Sequence, residues 1–165
     1  MEYIIKRAEL EDLKDINNIL NERCNWIKEK GINQWSENYT KKYNEEYFKT
    51  QMQENYLYVA KESDDTVGVM LLKKEDPVYW KNDDGKGLYL HHLATKIGHT
   101  GLGKQMAHFA KEETLAHGKE WLRLDCSTDN QGLNDYYKKH GFSNVGNGHI
   151  EGYNFNLWQK HITEE

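Results

Sequence analysis

Between Leu88 and Lys104 the chain reads LYLHHLATKIGHTGLGK, an apolar stretch that runs into a glycine-rich turn, Gly98-His99-Thr100-Gly101-Leu102-Gly103, and ends on a lysine. Glycines let a backbone curl until its N–H groups point inward, and a helix that opens at such a turn adds unpaired donors and the positive end of its dipole. That combination is a cradle for a phosphate. Leu102, Met106, Phe109 and Ala110 recur at helical steps directly after the turn, so strand, turn and helix read as one unit.

Three kinds of site use a turn of this sort. The spacing Gly98-xxxx-Gly103-Lys104 comes close to the phosphate loop of nucleotide hydrolases, and WLRLD, Trp121 to Asp125, has the form of an apolar strand ending in a magnesium-holding Asp. Gln105 opposes that reading, because the loop needs a Ser or Thr hydroxyl after the lysine. A dinucleotide site needs a third glycine where Met106 stands. The bland alternative is a turn that only links strand to helix.

Proton chemistry has candidates in the same stretch. Side chains alternate along a strand, so Tyr89, His91 and Leu93 are expected on one face and Leu90, His92 and Ala94 on the other. An imidazole with an unperturbed pKa near 6.5 suits proton transfer at neutral pH. The histidines at 99, 108, 117, 140, 149 and 161 form no paired-ligand spacing, and no metal site is expected.

The elements that must position these residues follow from periodicity. Residues 3–7 read as a strand, and the acidic Glu9, Glu11 and Asp12 suit a helix start. Leu13, Ile16, Leu20, Cys24 and Ile27 then make one apolar stripe on a helix ending near Gly31. INQWSENYT, Ile32 to Thr40, breaks the period and leaves Trp35 and Tyr39 in a polar loop; a shorter helical stretch with Tyr43, Tyr47 and Phe48 comes next. YLYVAKE and TVGVMLLKK, joined by Ser63-Asp64-Asp65, predict a hairpin. After the long helix and Gly118 come a strand over 120–126, a helix from about Asn130 to Gly141, and strands over 142–145 and 153–158.

Length and charge bound the rest. A chain of 165 residues is expected to be one domain, 1–165, burying about 70% of its unfolded surface. The net charge of −5 comes with no basic tract, which argues against nucleic acid as the main partner. There is no apolar run near the ~20 residues of a membrane span and no signal-peptide core, so a cytoplasmic protein without a membrane partner is expected. Cys24 and Cys126 stand apart and read as reduced thiols.

Two motifs together resemble the GCN5-related N-acetyltransferases (GNAT). Leu93-Ala94-Thr95 followed by the turn is similar to that family's strand-ending triplet and (Gln/Arg)-x-x-Gly-x-(Gly/Ala) helix start, with Gly98 where Gln or Arg is usual. NQGLNDYYKKHGF, Asn130 to Phe142, resembles the family's Asn…Tyr-Glu-Lys-x-Gly-Phe block. The resemblance covers the element order from end to end. It implies an α+β acyl-CoA N-acyltransferase fold, a mixed and mostly antiparallel central sheet flanked by helices, and direct transfer of an acetyl group from acetyl-CoA to an amine in a ternary complex.

The resemblance also implies roles. Backbone groups of Leu93, Ala94 and Thr95 would pair with the pantetheine arm, and those of Thr100, Gly101, Leu102, Gly103 and Lys104 would hold the pyrophosphate. Asn130 would bond the pantetheine arm, and Tyr137 would serve as general acid at the thioester sulfur. His91 fits the general base, with Tyr89, Trp35 and Tyr39 bordering the acceptor, a small-molecule or peptide amine. A non-catalytic acyl-CoA-binding module is the alternative, and a homodimer remains open.

Overall fold

A computed structural model describes residues 2–32, 35 and 38–163 of the chain. Asn33, Gln34, Ser36 and Glu37, in the loop expected after the first helix, lie outside the described residues. Among the described residues seven strands form one sheet: β1 Ile4–Arg7, β2 Tyr56–Glu62, β3 Asp65–Lys73, β4 Gly87–Thr95, β5 Trp121–Ser127, β6 Ser143–Ile150 and β7 Tyr153–His161, in the order β1-β2-β3-β4-β5-β7-β6. The sheet is mixed: β4 and β5 run parallel and the other neighbours antiparallel. The helices are α1 Leu13–Glu29, α2 Tyr39–Lys42, α3 Glu45–Glu54, α4 Leu102–Ala116 and α5 Gln131–Lys139.

Each sheet face buries its own apolar cluster. On one face Leu13, Ile16 and Leu20 of α1 and Phe48 of α3 pack on Leu57, Val59, Val69 and Leu71; on the other, Leu102, Met106 and Ala110 of α4 pack on Tyr58, Met70, Leu88 and Leu122. The period-two pattern of β2 and β3 serves both clusters, as expected for strands covered on both sides. At the start of α1, Lys61 Nζ meets Asp12 Oδ1 at 2.5 Å and tethers the helix entry to the hairpin.

Local caps fix the starts of α3 and α5. Asn44 Oδ1 accepts from the Tyr47 N–H at 3.0 Å at the start of α3, and Asn130 Oδ1 accepts from the Leu133 N–H at 3.1 Å at the start of α5. The sequence reading of one helical stretch after the loop is corrected to two helices, with Tyr43 between them.

Two strands depart from expectation in ways that matter. In β4, Val69 pairs with Ala94 and Leu71 with His91, so His92 and Leu93 together oppose Met70. This is a β-bulge, and His92 adopts φ 55 within it. Strict alternation is therefore overturned: His91, His92 and Ala94 belong to the α1–α3 side, while Leu93 joins Leu90 on the α4 side. Strand β6 outruns its predicted end because Gly146 and Gly148 lie in the ladder, and β7 runs on past Trp158 to His161 paired with β5. A Cβ at Gly148 would collide with the Phe155 ring opposite, so that glycine lets β6 close on β7.

Candidate active site

The site begins where the sheet opens. Strands β4 and β5 pair only over Gly87–Tyr89 and Trp121–Arg123; beyond them β5 stays with β7 through Ser127 and leaves the end of β4 without a strand on that side. Two cavities, of about 480 Å³ and 360 Å³, lie along this opening and share Leu90, Leu93, Leu133 and Tyr137 as common wall. A molecule passing from one to the other passes the Tyr137 ring.

The larger cavity is bounded by the glycine-rich turn. Gly98 and Gly101 take φ 97 and 89, left-handed values that strain any residue with a Cβ, and Gly101 is the N-cap of α4. Leu102 N–H reaches His99 O and Gln105 N–H reaches Gly101 O, so the N–H groups of Gly103 and Lys104 are the first-turn donors left for a ligand. Arg23, Lys104, Lys111 and His140 add positive or protonatable groups to the wall. Their crowding shows in His140, whose pKa is lowered by desolvation and then by Lys111, Lys104, Lys139 and Lys160. A polyanion fits this environment.

Of the residues the sequence assigned to the donor, Leu93, Thr95, Thr100, Gly101, Gly103, Lys104 and Tyr137 line this cavity. The Leu102 side chain is core, and Ala94 turns to the opposite face because of the bulge. Asn130 caps α5, and the wall beside it is Leu133, Tyr136 and Tyr137. Arg23, which has no sequence signal, donates from Nε to Thr95 O at 2.6 Å and from Nη2 to Thr95 Oγ1 at 3.2 Å, locking the end of β4 to α1.

The smaller cavity has a different lining: Trp35, Tyr39, Tyr43, Tyr79 and Tyr153 as aromatic walls, with His91, His92, Asp125, Lys42 and Glu151 as polar or charged groups. His91 Nε2 lies 2.8 Å from Asp76 Oδ2, and its Nδ1 lies 4.0 Å from Asp125 Oδ1. A carboxylate only accepts, so in the neutral ring Nε2 is the nitrogen that carries the hydrogen and Nδ1 the one with the lone pair. The gap to Asp125 is one that an amine nitrogen at ordinary hydrogen-bond distance from both atoms would bridge. Tyr153 O–H donates to Asp125 Oδ2 at 2.8 Å, and burial, reinforced by Asp76, raises the Asp125 carboxyl above its ordinary value against His91 and Tyr153.

Asp76 is buried at 1% exposure and has Lys73 Nζ 4.0 Å from its other oxygen. Tyr137 is half-buried; burial, then Cys126, Tyr136 and Asp125, raise its hydroxyl so that it stays protonated. Asp76, His91 and Asp125 also offer one ligand-type atom each within 4.8 Å of one another. Spacing hid that cluster, because its members come from three separate segments.

The expectations for the acceptor side are partly redrawn. Trp35 and Tyr39 do meet at this cavity, stacked with ring centroids 4.4 Å apart, but Tyr39 is buried and not exposed in a loop. Tyr89 is corrected: it is wholly buried, donates to Asp83 Oδ1 at 2.6 Å, accepts from Arg123 Nη1 at 3.1 Å and does not line the cavity. Asp76, Tyr79 and Tyr153 had no motif. Asp125 did carry a signal, the polar end of an apolar strand, read there as a magnesium holder.

Comparison with known proteins agrees with this geometry. The model of the acetyltransferase (GNAT) family matches residues 20–142. An uncharacterised N-acetyltransferase of Bacillus subtilis strain 168, YesJ, is 27% identical over 96% of this chain and 89% of its own length. Among solved structures, a GNAT-family acetyltransferase of Listeria monocytogenes superposes with TM-score 0.79 at 25% identity, covering 98% of this chain and 95% of that one. The PaiA N-acetyltransferase of Thermoplasma acidophilum in complex with coenzyme A gives 0.75 at 21% identity, covering 98% and 99%. The chain belongs to the GNAT family and, as a member, is an acetyl-CoA-dependent N-acetyltransferase with the acyltransferase fold. Among the described residues no helix is long and apolar enough to cross a membrane.

Proposed function

We propose that the chain acetylates a small primary amine directly from acetyl-CoA, with His91 as general base held by Asp76 and Tyr137 as the acid at the sulfur. The observation that carries this reading is the Asp76–His91 pair, 2.8 Å apart, facing Asp125 in a cavity that meets the glycine-lined one at Tyr137. The coenzyme A in the Thermoplasma structure supports the donor assignment.

The chemistry needs few parts because a thioester is already activated. An alkylamine with pKa ~10.4 is under ~0.1% neutral at pH 7, so a proton acceptor raises the reactive fraction. Asp125 attracts the ammonium, His91 Nδ1 takes its proton, and the freed nitrogen attacks the carbonyl carbon. As the C–N bond forms and the C–S bond breaks, the Tyr137 hydroxyl donates to the sulfur, whose thiol has a pKa of ~8.5 in free form, and the second proton that the nitrogen sheds on becoming an amide returns through solvent to the Tyr137 oxygen. Backbone groups from Leu93 to Thr95 hold the pantetheine arm as a strand would; Arg23 already occupies Thr95 O. The donors of Gly103 and Lys104, with Lys111 and His140 nearby, hold the phosphates.

Size and lining favour a small amine over a peptide. The cavity of about 360 Å³ lies at the small end of small-molecule sites, which run from about 300 to 1,000 Å³. Aromatic rings and acids, Asp125 within and Glu151 among the lining residues, suit a cation with an apolar body. Mass spectrometry of an amine panel with acetyl-CoA, run with and without a chelator, tests this. Acetylation of small arylalkyl or alkyl amines ahead of lysine peptides is expected, unchanged by the chelator. Preference for peptides would overturn the acceptor assignment, and chelator-dependent turnover would make Asp76, His91 and Asp125 a metal site.

A further inference from the structure

His92 lies at the β4 bulge with φ 55, a left-handed value uncommon for a residue that carries a Cβ. Its ring is buried among Tyr39, Tyr43, Tyr47 and Phe48, with centroids 5.5, 4.5, 5.5 and 5.4 Å away. Both ring nitrogens are engaged by side chains of different helices: Nδ1 with the Tyr39 hydroxyl of α2, and Nε2 with the Tyr47 hydroxyl of α3 at 3.0 Å. Burial, with His91, Lys73 and Lys42 adding to it, lowers the pKa of the ring well below its ordinary value, so it is neutral and donates through one nitrogen while accepting through the other.

Tyr39 is the link to the site. It stacks on Trp35 at 4.4 Å, contacts Tyr43 edge-on at 4.8 Å, and all three rings line the smaller cavity together with His92, whereas Tyr47 does not. We propose that His92 is a positioning residue that pins the aromatic wall of the acceptor cavity to the strand carrying the base, acting through Tyr39. The same bulge that turns His92 into the tyrosines keeps His91 on that face, with the two imidazole centroids 5.9 Å apart. One extra residue in β4 thus sets the aim of the base and the place of the wall that presents the amine to it. The role rests on the assignment of this cavity to the amine.

The test is a double-mutant cycle with both substrates varied. His92→Phe keeps a ring in the cage but removes both nitrogens; it should raise the amine KM roughly ten-fold with the acetyl-CoA KM unchanged, the size expected for losing about one well-made buried hydrogen bond. Tyr39→Phe should do the same, and the double variant should be no worse than either single, since both break one link. His92→Asn, whose amide reaches the Nδ1 position, should recover most of the amine KM, whereas His92→Gln, which reaches the Nε2 position, should not. Thermal melts accompany each variant, and the Asn variant carries the test if the Phe variant does not fold. Additive single effects, parallel changes in both KM values, or equal rescue by Asn and Gln would overturn the pin. Trp35→Ala separates the two levels: if it raises the amine KM while His92→Phe does not, the pin is wrong and the cavity assignment stands; if neither moves it, both fall.

Discussion

The two cavities that meet at Tyr137 are built from different materials. On the α4 side the phosphate end is main chain, Gly98 and Gly101 in left-handed conformations and the first-turn N–H groups of one helix, with lysines around it and apolar and aromatic side chains as the rest of the wall. On the α1–α3 side it is side chain, with tyrosines and a tryptophan around a buried Asp76–His91 pair and Asp125. A main-chain cradle binds any ligand bearing the same diphosphate and tolerates change in side chains, while a side-chain cavity changes its ligand with each substitution. On the proposed function, that difference suits the common donor to one half and the particular acceptor to the other.

The largest expected effect falls on the proton path. His91→Ala should lower kcat/KM for the amine roughly 10²- to 10⁴-fold at neutral pH, the usual worth of a positioned base, and the loss should shrink as rising pH supplies free amine. Asp76→Asn should reproduce part of that loss, since an amide can present its N–H to Nε2 and leave the ring in the wrong tautomer. Steady-state pH–rate profiles check both, and an undiminished rate in His91→Ala would take the base away from β4.

At the junction, Tyr137→Phe should cost roughly 10² in turnover while acetyl-CoA affinity changes little, because the ring that separates the cavities is kept. Single-turnover kinetics with titration of acetyl-CoA read the two quantities separately. A weaker donor affinity with intact turnover would move Tyr137 into the binding wall alone.

Two smaller changes should then split by cavity. Gly101→Ala places a Cβ at φ 89, a strain of ~1–2 kcal/mol, and should raise the acetyl-CoA KM roughly five- to thirty-fold as the turn relaxes, with the amine KM nearly constant. Trp35→Ala should do the opposite, raising the amine KM roughly two- to thirty-fold, the worth of ~0.5–2 kcal/mol for a cation against a ring, with the acetyl-CoA KM nearly constant. Mixed effects in either variant would merge the two halves into one site.

The smallest effect concerns stability. Burial raises the Asp125 carboxyl in the folded state, so ionising it there costs free energy that the unfolded chain does not incur. Asp125→Asn should therefore melt higher at neutral pH, and the advantage should fade as pH drops through the raised folded value and vanish below the unfolded one. Thermal melts across that acid range check the sign, and lowered amine turnover in the same variant would mark a site held at some expense of stability.

How much of this could be read from the chain depends on whether a feature is local. The glycine turn, the α4 stripe of Leu102, Met106 and Ala110, and the Asn130 cap with Tyr137 two turns on are set by neighbours within one element, and the sequence by itself determined them. Only the tertiary structure decided the rest. LYLHHLA reads as plain alternation whether or not it bulges, and the bulge appears only when β4 is laid against β3. The extension of β6 through its glycines depends on Phe155 lying across Gly148, a contact made only once the two strands pair. Asp76, His91, Asp125 and Tyr153 come from a loop and three strands, and no spacing along the chain encodes the separations of their side chains. Those separations are products of the sheet's order and of where β5 leaves β4.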